Sequence, residues 1–206
     1  MKEDHFMRVL VVYCHPSHDS VTYKLCESFI DGLRSAGIEY ELSDLYAMDF
    51  RTDMSESEYL REGYYDDSQP IPEDIIAEHE KIERADGIAF IYPVFWTEAP
   101  AKLVGWFQRV WTYGYAYGLQ RRMKRLEKAL MLVCMGGDKD DPVRVRQIAA
   151  MREVMLGDRI YDRAQEKDMV IFDRMTRGYG NDEYRREKSA EFAEQAFLLG
   201  KNFFEK

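Results

Sequence analysis

Five short apolar runs punctuate the chain: MRVLVVYC (7–14), IEYEL (38–42), GIAFIY (87–92), ALMLVC (129–134) and MVIFD (169–173). The first, third and fourth are nearly unbroken hydrophobics, the pattern of strands covered on both faces of a parallel sheet. Helical spacing fills most of the intervals: about 20–36 ending at Gly37, 73–85 after Pro72, 100–113 from Pro100, a weaker pattern near 143–156, and 183–204. Strand and helix therefore alternate, which predicts an α/β doubly wound parallel sheet with helices on both faces. At 206 residues a single domain over 1–206 is the default. The connection RTDMSESEYLREGYYDDSQPIP (51–72) is long for a compact domain and marks a functional or disordered excursion after the second strand. Within it, Ser55 and Glu58 have capping-box spacing, so a short helix over about 56–62 is expected.

In an open parallel sheet, ligands bind beyond the carboxyl ends of the strands, where the strand order reverses. With the order 2-1-3-4-5, the exits HPSHDSVT (15–22), PVFWTEAP (93–100) and MGG (135–137) converge on one crevice. Residues 15–31 contain no glycine, so the first exit is neither a Walker loop nor a dinucleotide fingerprint. It still offers His15, the hydroxyls of Ser17, Ser20 and Thr22, and the free N–H groups of a helix N-terminus, which together make an anion site. An equal alternative is that Pro16 makes a turn and Ser20 simply caps the helix.

The second exit sets the backbone N–H groups of Val94, Phe95, Trp96 and Thr97 beside a large aromatic. All three tryptophans fall within residues 92–111. Leu103, Phe107, Val110 and Trp111 follow the spacing of one buried helix face. Trp96 does not, because it sits between Pro93 and Pro100 where no periodicity assigns it to a core. The third exit supplies Gly136 and Gly137, whose missing side chains permit close approach of a ring or substrate to the backbone, although a plain turn explains such a pair as well. A phosphate seat, a planar slot with N–H donors and a bare wall together suit a flavin mononucleotide moiety.

Charge narrows the partners. A net charge of −9 and a pI near 5.1 argue against nucleic acid or an anionic membrane, which require a cationic face, and favour a small organic substrate or a protein. The N-terminal apolar run is too short for a secretory segment or a membrane span, so a soluble, cytoplasmic protein is expected. Cys14, Cys26 and Cys134 form an odd set without CxxC spacing, read as reduced thiols; no metal site is expected.

The segments VVYCHPSHDSVTYKL (11–25), SDLYAMDF (43–50), YPVFWTEAPAKLVGWFQRVW with YAYG (92–118) and CMGG (134–137) are similar to the NAD(P)H:quinone oxidoreductases. This is the DT-diaphorase branch of the flavodoxin-like fold, whose five-stranded parallel sheet runs 2-1-3-4-5. The resemblance implies FAD as cofactor, with FMN as the alternative, NAD(P)H as electron donor and a quinone or similar electrophile as acceptor. It implies that His15, Ser20, Val21 and Thr22 lie on the flavin phosphate or pyrophosphate, and Val94, Phe95, Trp96 and Thr97 on the isoalloxazine. Cys134, Met135, Gly136 and Gly137 would approach the far end of the ring. It further implies a homodimer with a shared active site, Tyr117 entering the partner's substrate pocket beside Trp96, Gly136 and Gly137.

One departure bears on the chemistry. Mammalian-type members carry a tyrosine and a histidine after the double glycine, where this chain has Pro142 and Ile148. The only histidines are His5, His15, His18 and His79, so no proton donor of that kind stands in the loop. The expected reaction is a two-electron, ping-pong transfer through flavin N5 in a single slot. A flavodoxin-type electron carrier and an ancillary regulatory flavoprotein are the alternatives.

Overall fold

A computed structural model describes residues 6–205; the one-domain reading of 1–206 takes in residues 1–5, His5 among them, and 206, which lie outside the described residues. Five parallel strands form the sheet: β1 (Arg8–Tyr13), β2 (Glu39–Asp44), β3 (Gly87–Pro93), β4 (Leu126–Cys134) and β5 (Ala164–Phe172), in the order β2-β1-β3-β4-β5. Every residue of β3 is buried, and so are the last six of β4, as their unbroken apolar runs require. The helices are α1 (Val21–Ser35), α2 (Glu56–Tyr64), α3 (Glu73–Arg84), α4 (Ala101–Val110), α5 (Pro142–Arg152) and α6 (Asp182–Lys201). The doubly wound architecture expected from the sequence is the one found.

Each face of the sheet has its own core. Leu25, Phe29 and Leu33 of α1 meet Val9 and Val11 of β1 and Phe192 and Ala196 of α6. On the other face Ile75, Ile82, Trp106 and Val110 cover Leu10, Val12 and Phe90, with Met151 and Met155 closing the β4 end. Leu103, Phe107, Val110 and Trp111 all lie in this second core, as their helical spacing predicts.

Three departures from the sequence reading have physical causes. Strand β5 starts at Ala164 rather than 169, because at the sheet edge Ala164 and Glu166 to Asp168 pair with β4 through their backbones while the polar side chains of Gln165 to Asp168 stay in water. Helix α5 runs on into a π-helical segment, Glu153–Ile160, whose wider turns carry no 3.6-residue signal. The excursion 51–72 is ordered: both bonds of the Ser55/Glu58 capping box form, and α2 is held by charge rather than by apolar periodicity. Its Glu58 accepts from the buried Arg109 of α4 at 2.7 Å, and its Arg61 donates to the carbonyls of Asp67 and Tyr113. Among the described residues no helix is long and apolar enough to cross a membrane.

Candidate functional site

The exits of β1, β3, β4 and β5 border one crevice in two connecting parts, of about 330 and 930 Å³, which share Val94, Met135, Gly136 and Thr176. The smaller part sits over the N-terminus of α1. Ser20 is the N-cap, its Oγ accepting from the Tyr23 N–H at 3.0 Å, so the cap role weighed from sequence is real. The N–H groups of Val21 and Thr22, in the first helical turn, have no acceptor among the described residues and face this part of the crevice. The side chain of Thr22 is buried, so its contribution to the mouth is its backbone.

His15 lines the same part. The Ser17 N–H donates to its Nδ1 at 2.9 Å, which leaves the proton of the neutral ring on Nε2, free for an outside acceptor. Burial holds the imidazole below its ordinary pKa, and the Ser17 carbonyl, 2.8 Å from Nδ1, would accept from it once protonated. Ser17 itself does not border the crevice: its Oγ accepts from the Asp19 N–H at 3.1 Å. Three cations missed in the sequence reading, Lys24, Arg177 and Arg185, complete the rim. The Nε of Arg185 is buried without a hydrogen-bond partner.

The second exit is a tight hairpin. Phe95 and Glu98 exchange both backbone hydrogen bonds, at 2.8 and 3.0 Å, across Trp96 and Thr97. Both central residues have positive φ, 54° and 66°, in a two-residue turn that normally takes Asn-Gly. For a β-branched threonine this is a strained conformation, of the kind that persists where the surroundings over-determine it. The turn consumes the N–H groups of Phe95 and, through a 2.8 Å bond to the Cys134 carbonyl, of Val94. The N–H groups of Trp96 and Thr97 keep no acceptor among the described residues, so only half of the expected donor row is available. The Trp96 ring is fully exposed and borders the larger part of the crevice.

What holds the turn comes from the π-helical segment. Arg159 donates to Glu98 Oε1 at 3.1 Å, its guanidinium lies 5.3 Å from the centre of the Phe107 ring, and its carbonyl accepts from Trp111 Nε1 at 2.6 Å. Arg159→Met should therefore loosen residues 94–98. Hydrogen exchange at Val94 and Phe95 is expected to rise, with Arg159→Lys restoring part of the protection; unchanged exchange in the methionine variant would remove Arg159 from this role.

At the third exit Cys134 lies in the core, Met135 is buried beneath both parts of the crevice, and burial pushes the Cys134 thiol up to about 12, so it is an inert wall rather than a nucleophile. Gly136 and Gly137 border the crevice, but the space at Gly136 is already filled. A Cβ there would lie 2.1 Å from Thr176 Oγ1, so a side chain at this position displaces Thr176 of the chain's own loop after β5. That loop, 173–181, is the largest omission of the sequence reading. It is zipped to the β4 exit by the Met175 N–H to the Met135 carbonyl, the Asn181 amide to the Gly136 carbonyl, and an Arg174–Asp138 ion pair.

Tyr117 lies outside both parts of the crevice. Its hydroxyl donates to Glu62 Oε2 at 2.6 Å, and its ring meets Tyr113 edge-on. Of the aromatic run beside it, Trp111 and Tyr115 are core, while Tyr113 and Tyr117 are half-buried.

Residues 7–159 match the family described as flavodoxin-like fold. The structure of an NAD(P)H:quinone oxidoreductase from Methanothermobacter marburgensis is 41% identical, covers 98% of each chain and superposes with a TM-score of 0.89. Among curated proteins, NAD(P)H dehydrogenase [quinone] 1 of Rattus norvegicus is 34% identical over 53% of this chain and 45% of its own. A ribosyldihydronicotinamide dehydrogenase-like protein of Penicillium crustosum is 26% identical over 65% of this chain and 59% of its own. The chain thus spans about half the length of these curated relatives. Sheet order, crevice and matched residues agree: the chain belongs to the flavodoxin-like fold family, alongside the NAD(P)H:quinone oxidoreductases.

Proposed function

We propose that the chain is a flavin-dependent NAD(P)H oxidoreductase that passes two electrons from a reduced nicotinamide to a quinone or similar electrophile. The observation that carries this reading is the juxtaposition, in one crevice, of a cation-rimmed helix N-terminus with an exposed tryptophan whose backbone N–H, like that of Thr97, has no acceptor among the described residues. That donor set fits a phosphorylated planar heterocycle. The Val21 and Thr22 N–H groups, His15 Nε2, Lys24 and Arg185 would hold phosphate oxygens. Three side-chain donors beyond the two helix N–H groups suit two phosphates better than one, which favours FAD over FMN.

Bound flavin would supply the hydride acceptor at N5, letting the oxidised nicotinamide leave before the quinone arrives. The chain's part is to bind and to orient. The N–H groups of Trp96 and Thr97, held by the strained turn, would face the ring and would stabilise negative charge there without having to reorganise. Gly136 and Gly137 form the facing wall. α5 carries no histidine or tyrosine, so a proton would come from solvent or from Tyr179 of loop 173–181, which borders the larger part. We include in the proposal a homodimer in which Tyr117 faces the partner's crevice, as in the family reading.

His15→Ala should weaken FAD binding about 10- to 150-fold, the worth of a hydrogen bond to a charged group. Because phosphate favours the protonated imidazole, His15 gains a proton on binding, and the wild-type advantage should grow as pH falls toward 6. Titration of apoprotein with FAD at two pH values measures both; equal affinities for wild type and variant would remove His15 from the site. The reaction itself is tested by steady-state kinetics with NADPH and a quinone. Parallel double-reciprocal lines are expected, whereas intersecting lines would mean both substrates are bound at once, and the single-slot mechanism would fall.

A further inference from the structure

The crevice is cationic in an acidic protein. Five cations border it, Lys24, Arg144, Arg174, Arg177 and Arg185, against two carboxylates, Asp19 and Asp138, while the whole chain carries −9. Three of these cations are matched: Arg174 with Asp138, Arg177 with Asp19 at 3.7 Å, and Arg185 with Asp182 at 3.4 Å. Two have no carboxylate within ion-pair distance among the described residues, and they divide between the two parts. Lys24 stands over the helix N-terminus, where the flavin phosphates are proposed. Arg144 stands in the larger part, against Gly137.

Arg144 is exposed and is not neutralised. Its Nη1 donates to Gln147 Oε1 at 2.6 Å, one helical turn along, and an amide positions a guanidinium without cancelling its charge. Its Nε lies against Gly137, where an added Cβ would sit 2.6 Å away. The residue occupies the first turn of α5, where the N-cap Asp141 accepts from its backbone N–H at 3.3 Å but makes no ion pair with its guanidinium. A cation there opposes the positive end of the helix dipole, so helix stability does not explain it. A second anion, bound after the flavin phosphates are satisfied, does.

We propose that Arg144 anchors a phosphate of the electron donor. The donor is then a phosphate-bearing nicotinamide nucleotide rather than phosphate-free ribosyldihydronicotinamide, after which several relatives are named. This rests on the oxidoreductase reading above. The guanidinium offers two N–H groups on one edge to phosphate oxygens, the fork that suits this anion. Attraction by an unbalanced positive crevice also makes donor capture sensitive to ionic strength.

The test uses flavin-loaded protein in wild-type, Arg144→Gln and Arg144→Lys forms. Anaerobic rapid mixing follows flavin reduction by NADPH, by NADH and by ribosyldihydronicotinamide, and calorimetry measures binding of oxidised NADP to the same proteins. Arg144→Gln should weaken NADPH and NADP binding by about tenfold or more, with the limiting reduction rate kept. Reduction by ribosyldihydronicotinamide should be unaffected by the substitution and by salt, and lysine should restore part of the loss. If NADH suffers equally, the contact is to the pyrophosphate; if NADH is spared, it is to the 2′-phosphate. An equal loss for the phosphate-free donor, or no loss for any, would overturn the assignment while leaving the oxidoreductase reading intact. Failure of all three donors to reduce the wild-type flavin would take both down.

Discussion

Arg109→Leu should lower the stability of the chain by about 3–5 kcal/mol, the cost of leaving a buried charge without its partner. The Arg109 side chain is inaccessible to solvent, donating to Glu58 at 2.7 Å, to Asp74 at 2.6 Å and to the Arg51 carbonyl at 2.8 Å, with the Phe50 ring beneath it. These bonds tie the 51–72 excursion and α3 to α4. Leucine fills part of the volume but strands Glu58, which is 7% exposed, with Arg51 and its cap as its remaining partners. For a chain of this length the loss corresponds to a fall of about 6–20 °C in Tm. A thermal scan of the flavin-free variant within 2 °C of wild type would contradict it, about the shift of a neutral surface change.

The same network fixes an acid limit. Burial alone would raise the Glu58 carboxyl, but the Ser55 N–H and hydroxyl, Arg51 and Arg109 outweigh it and hold the pKa at about 2, against 4.5 for a free glutamate. A carboxylate depressed in the folded state contributes its full stability above the unfolded pKa and loses it as pH falls through the folded one. Wild type should therefore lose this contribution between about pH 4.5 and 2. In Arg109→Leu the corresponding loss should begin at higher pH.

The second large effect is expected at Gly136. Any side chain there meets Thr176 Oγ1, and the collision falls on the loop that shapes both parts of the crevice. Gly136→Val should cost about 1–3 kcal/mol of overpacking strain, read as a 5- to 150-fold loss of flavin affinity as loop 173–181 is pushed aside. The cause can be separated from a direct clash with ligand. Gly136→Ala should be impaired alone and largely rescued by Thr176→Ala, which removes the Oγ1 and leaves a Cβ contact near 3.0 Å. Failure of the second substitution to rescue binding would mean that the glycine serves the ligand and not the loop.

Much of this architecture was legible in the sequence because it rests on local pattern. The unbroken runs of β1, β3 and β4 encode burial on both faces, and Pro100 and Gly37 punctuate helices. Trp96 stood out because it belonged to no periodicity, and it is the exposed ring at the tip of a strained turn. What was illegible depends on tertiary contact. The sequence cannot say that the N–H groups of Val94 and Phe95 are consumed by the hairpin and the strand beside it, or that the Ser17 hydroxyl is taken up by the Asp19 N–H. Nor does RMTRGYGN, without apolar period, announce that Thr176 and Arg177 fold back over the β4 exit. Arg144 carries no signal in the sequence; its place in the crevice against Gly137, without a carboxylate partner among the described residues, singles it out.

The central claim is that this crevice holds a redox flavin, and chromatography of the flavin released by acid from purified protein tests it most directly. The account predicts a yellow protein that releases FAD in equimolar amount with the chain, and is bleached anaerobically by NADPH before any quinone is added. A colourless protein that takes up neither FAD nor FMN when incubated with an excess of each would contradict it.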